Sequence, residues 1–199
     1  MQNTPAPDRP QSFGYKCAWL AVRTDSPAAV AAALGLDAAT PSTWAEGIAG
    51  AYDGRVFVTP QLHGWILAVG TSLPDTGDAH NPDRITPVLL RLGQQFPDVQ
   101  YFGTHRVVDW HAWARVVAGR FVRKFAYVGD QGVVIWQYGA LTPEETQLGL
   151  LFSAGAIENS PFPDEQNVTD LAGLWSIDPT TLEDLDLPPS VGVLGVYPQ

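Results

Sequence analysis

The chain has 199 residues, 45% hydrophobic and 11% aromatic, which supplies apolar surface for a sizeable core and excludes disorder over most of the length. Its formal charge of −10 is unevenly placed: residues 1–124 carry ten acids and eleven bases, whereas residues 125–199 carry eleven acids and no base. A surface of one sign repels phosphate backbones and anionic membranes and selects basic partners, so nucleic-acid and membrane binding are not expected.

A single cysteine, Cys17, excludes an intramolecular disulfide and any cysteine-rich zinc site. Within the apolar run 15–22 it reads as a buried small hydrophobe. The first twelve residues are polar and proline-rich, without the apolar stretch of a secretory signal, and no run approaches the roughly 18 apolar residues of a membrane span. A cytoplasmic location is expected. The excess of Arg over Lys, with abundant Ala, Gly and Pro, points to a GC-rich bacterial genome.

In chain order, residues 1–12 form a flexible segment, and the run 15–22 then reads as a strand. Ser26-Pro27 opens a helix that closes at Gly35, because a hydroxyl residue followed by proline suits the first helical turn and glycine suits a left-handed end. Strands follow at 55–59 and 64–70, joined tightly through Gln61, Leu62 and His63. Thr86-Pro87 opens a second helix whose Leu89, Leu92 and Phe96 share a stripe, and the run 99–104 is again extended. The order β-α-β-β-α-β is that of a ferredoxin-like core.

Residues 106–117, 120–128 and 133–138 then read as an antiparallel meander, turned at Ala118-Gly119 and at 129–132. The first of these runs also fits a helix, but the alternation Val108, Trp110, Ala112, Ala114, Val116 favours a strand. Thr142-Pro143, with Glu145 three residues beyond the threonine, forms a capping box. The expected fold class is α+β. A single domain spans 13–157, its ferredoxin-like core extended by the meander. Residues 158–199 belong to an acidic, helical and loop-rich C-terminal extension wrapped onto it by Leu171, Trp175, Ile177, Leu182 and their neighbours.

The densest polar chemistry runs from Thr104 to His111 and on to Arg115. On a strand, Asp109 and His111 lie about 6.6 Å apart and share a face with Arg115. Asp109 and His111 could act as an oriented acid and base pair with Arg115 as an anion clamp, or as two of the ligands a metal needs. No third ligand is placed, so no metal and no cofactor is expected. The favoured reading of the trio is a hydrogen-bonded polar face without catalysis, partly covered by the acidic extension. Arg106, Arg115, Arg120, Arg123 and Lys124, interleaved with aromatics, superficially resemble a single-strand nucleic-acid platform, against which the net charge weighs. Glycine-rich phosphate loops and the nucleophile elbow of serine hydrolases are absent.

The favoured functional expectation is a non-enzymatic protein-binding module. It would be an immunity or inhibitor-type protein that occludes a basic partner, such as a toxin, through an acidic surface. Asp164, Glu165, Asp170, Glu183, Asp184 and Asp186 would supply the charge, with Trp175 as an aromatic anchor. The alternative is a small hydrolase, metal-dependent or built on His and Asp, using His111, Asp109 and Arg115.

Overall fold

The computed structural model describes residues 5–77, 81–129, 132–152 and 162–198. Chain order runs β1 (Cys17–Arg23), α1 (Pro27–Leu34), β2 (Asp37–Ser42), α2 (Trp44–Tyr52), β3 (Val56–Val58), β4 (Trp65–Gly70), α3 (Ile85–Gly93) and β5 (Asp98–His105). It continues through β6 (Trp110–Val117), β7 (Arg120–Val128), β8 (Val133–Tyr138), α4 (Pro143–Gln147), α5 (Glu165–Trp175), a 3₁₀ segment (Pro179–Asp184) and β9 (Gly192–Val196). The protein is a mixed α+β fold dominated, among the described residues, by an open nine-stranded sheet in the order β2-β9-β3-β4-β1-β5-β6-β7-β8. Every described pairing is antiparallel.

Helices cover both faces. α1 and α3 pack on one side, and α2, α4 and α5 on the other, so the central strands are buried on both faces and read as near-continuous apolar runs. On the α2 and α5 side one cross-strand row threads Leu194, Phe57, Val69, Trp19, Phe102, Trp113 and Phe125. Trp19 stacks on Phe102 at 5.3 Å and Trp113 on Phe125 at 4.5 Å. Burying each phenylalanine of such a row contributes about 1.5–3 kcal/mol. Mixing the register by one residue would turn the whole row to the opposite face, which pins the pairing.

Several local expectations hold. Ser26 Oγ accepts from Ala29 N at 3.2 Å and Gly35 closes α1 at φ 69°. Thr142 and Glu145 make the reciprocal capping box. The run 106–117 is strand only over 110–117, paired along that length with β5 and β7, whereas 106–109, with Asp109, form the turn before it. Ala118 and Gly119 turn at φ 48° and 76°.

Other elements differ. α3 starts at Ile85, and Thr86 does not cap it: the Asp83 carboxylate accepts from Ile85 N at 3.1 Å and Thr86 N at 2.9 Å, and the Thr86 hydroxyl donates to the same carboxylate at 2.6 Å. An ionised carboxylate offers more acceptor sites than a hydroxyl and takes the whole helix start. β2, α2 and β9 lie outside the elements that local sequence pattern predicts. β2 is an exposed edge strand with a proline and no apolar alternation; α2 carries Gly47 and Gly50, which let Phe57, Leu194 and Arg55 approach its backbone. The last residues enter the sheet interior as β9, between β2 and β3.

The segment before β1 is tied at several points. Asp8 accepts from Trp44 N at 2.6 Å and Ala45 N at 2.9 Å, placing its charge at the α2 N-terminus, while Phe13 N donates to Pro179 O at 2.9 Å. Trp44 itself is fully buried, and its indole donates to Ser190 Oγ at 3.3 Å.

Candidate functional site

On the α2 and α5 side, the strand ends near the start of β1 form a polar row of Cys17, Thr104, His111 and Tyr127. The next row inward is the aromatic one, and the row beyond it holds Ala21, Gln100, Arg115 and Arg123. His111 and Arg115 therefore share a face, as expected, but lie about 13 Å apart along the strand with Trp113 between them.

His111 is buried and its Nδ1 lies 3.0 Å from Thr104 Oγ1. Burial lowers its pKa, and the charges of Asp109 and Asp164 offset this only in part. Asp109 sits exposed in the turn before β6 with a left-handed φ of 48°. Arg115 turns away to Asp98, with Nη2 at 2.7 Å and Nε at 3.2 Å from Oδ2, and its guanidinium lies 5.8 Å over the Trp175 ring. The three side chains are on adjoining elements, yet they do not converge on one point. No group of three metal-ligating side chains occurs among the described residues.

Arg123 leaves the basic group altogether. Its side chain is buried against Glu145, with hydrogen bonds to several backbone carbonyls. Lys124 Nζ reaches Thr86 Oγ1 at 3.1 Å and lies over the Phe121 and Trp136 rings at 4.7 and 4.4 Å; desolvation lowers its pKa. Neither is presented to an outside phosphate chain.

Trp175 is not a surface anchor. It is buried at 4% exposure, because α5 packs directly on β5 and β6 and its ring tilts against Phe102 at 5.7 Å. The acids around it have varied duties. Asp164 caps α5, accepting from Asn167 N at 2.9 Å, and one oxygen of Glu165 is buried without a hydrogen-bond partner. Asp170 accepts from Gln166 at 2.7 Å, and Glu183 accepts from Ser12 N at 3.3 Å. Asp184 and Asp186 are exposed. None of these carboxylates joins a salt bridge among the described residues.

A cleft of about 480 Å³ opens at the sheet rim, where β1 begins and β5 ends. Thr104, His105 and Trp110 border it, whereas His111, Asp109 and Arg115 do not. Sequence reasoning could not assemble it, because its walls come from the starts of β1 and β6, the ends of β5 and β7, and the loop after β4. No helix is long and apolar enough to cross a membrane among the described residues. Comparisons with protein-family models, curated proteins and solved structures find no match to this chain.

Proposed function

We propose that the protein is a non-enzymatic protein-binding module, most concretely a cytoplasmic immunity or inhibitor-type protein of bacteria that covers a basic partner with its acidic last third. The observation that carries this reading is the unneutralised charge of that region. Its buried acid, Glu145, is matched by Arg123, and Arg115 is occupied by Asp98 of β5, so the chain's nearby bases do not compensate Asp164, Asp170, Glu183, Asp184 or Asp186. Complementary charge speeds encounter with a basic partner and rejects wrong ones. In fold terms, the order β3-β4-β1-β5, with α1 and α3 on one face, supports reading the sheet centre as a ferredoxin-like core into which β2 and α2 are inserted.

The test is capture of a partner from native lysate, followed by measurement of its affinity at low and high salt for the wild type and for the variant Asp170→Asn, Glu183→Gln, Asp184→Asn, Asp186→Asn. The expected result is a stoichiometric basic partner, released by salt and bound at least tenfold more weakly by the variant. Unchanged affinity and unchanged protection in cells would sink the reading. The hydrolase alternative draws less support from the geometry, since none of His111, Asp109 and Arg115 lines the rim cleft; a hydrolytic activity lost in His111→Ala and Asp109→Asn would restore it.

A further inference from the structure

The rim cleft has the chemistry of a small-molecule site. Among the described residues it is lined by Lys16, from the residue before β1, and Asp75, from the loop after β4, and His105 at the end of β5 also borders it. Lys16 and Asp75 are exposed, and neither joins a salt bridge with another described residue. Asp75 is held in place locally: Oδ1 accepts from Gly77 N at 2.9 Å, and its carbonyl accepts from Arg84 N and Ile85 N, both at 3.1 Å. Lys16 is presented from a left-handed backbone, φ 56°, a conformation that costs a non-glycine residue energy and recurs at ligand clamps.

The same cleft has an apolar wall already set in position. Trp110 rests on Gly103, where any side chain would run into the indole, and its Nε1 donates to Thr76 Oγ1 at 3.1 Å. Leu73, Val108 and Val128 continue that wall. Burial pushes the Cys17 thiol up to about 11, so this part of the lining stays neutral. An anion alone would face Asp75, and a cation alone would face Lys16; a molecule carrying both charges on an apolar body answers both. The volume lies within the range of small-ligand pockets, roughly 300–1,000 Å³.

We propose that this cleft binds an apolar zwitterion, an amino acid or short peptide, with its carboxylate toward Lys16, its ammonium toward Asp75 and its side chain on Trp110. Among the described residues, Val128 is the one wall residue that falls within residues 125–199, and none of the acids proposed for the partner surface lines the cleft, so the site stands independently of that surface.

The experiment is isothermal titration of the full chain with L-phenylalanine and with L-leucyl-L-phenylalanine, each also in N-acetylated and C-amidated form. At least one free zwitterion is expected to bind saturably, and both capped forms at least tenfold more weakly. Lys16→Ala is expected to reduce the free zwitterion to the affinity of its amide while leaving the amide unchanged, and Asp75→Asn to do the same relative to the acetylated form. Both changes are at exposed positions, and circular dichroism of each variant confirms the fold. Absence of binding by both free probes, equal binding of free and capped forms, or a Lys16→Ala variant with wild-type affinity would overturn the proposal.

Discussion

Arg123 Nε lies 2.9 Å from Glu145 Oε1 and 3.0 Å from Oε2, with neither side chain more than 1% exposed. Glu145 also accepts from Trp113 Nε1 at 2.9 Å and Thr142 N at 2.8 Å, while Arg123 donates to the carbonyls of Lys124, Tyr138, Gly139 and Phe152. One buried charge pair thus fastens β6, β7, the end of β8 and the α4 start. Removing one member leaves the other charged and unpaired in a low-dielectric interior. Glu145→Gln or Arg123→Met should each cost about 3–5 kcal/mol. Urea unfolding should also show the double variant losing less than the two single losses together; additive losses would mean the residues act separately.

His111 gives a pH response of defined sign. Its folded pKa lies below 6.5 because burial disfavours the imidazolium. Between that lowered value and 6.5 the unfolded chain holds more proton at this residue than the native state does. Stability from His111 therefore rises with pH through that window, is complete above it and is lost on acidification. Unfolding free energies at about pH 7.5 and about pH 5 should differ more in the wild type than in His111→Gln. An equal difference in the two proteins would remove His111 as the source.

Cys17 is expected to be an inert thiol in the folded protein. Burial, partly offset by hydrogen bonds with the Tyr52 side chain and the Gly14 backbone, lifts its pKa from 9.0 to about 11. Only the thiolate attacks a disulfide reagent, and 5% exposure further limits access. Labelling at about pH 8 should be slow in native protein and fast in denaturant. Equal rates would mean that the rim opens readily.

Gly47 tests the packing of α2. Alanine favours a helix over glycine by about 1 kcal/mol, but a Cβ at this position would run into the fully buried Phe57 ring. Phe57 is held edge-on by Trp44 at 5.5 Å and cannot simply swing aside. Thermal or urea unfolding of Gly47→Ala should show a net loss of about 1–3 kcal/mol; a gain would mean that the ring yields.

Much of the fold was legible where a local rule operates. Hydroxyl-proline starts marked α1 and α4, and unbroken apolar runs marked β1 and β4. Alternation marked β6 as strand, although its residues also fit a helical period. α2 left a usable trace, since Thr43 precedes Glu46 by three residues and accepts its N–H at 3.1 Å, but two glycines disguised the helix. β2 and β9 left little: a proline-bearing exposed edge and the glycine-spaced run Gly192–Val196 become strands chiefly because they pair with each other, and β9 also with β3.

The sequence by itself determined the α+β class, the individual strands and helices with strong patterning, and the division of charge along the chain. Those properties depend on neighbours a few residues apart. Only the tertiary structure decided that Trp175 lies inside, that Arg115 and Arg123 take Asp98 and Glu145 as partners, and that Lys16, Asp75 and Trp110 meet at one rim. Burial and electrostatic pairing depend on separation in space, and in an antiparallel sheet of nine strands that separation is set by strand order and register, which no local pattern specifies.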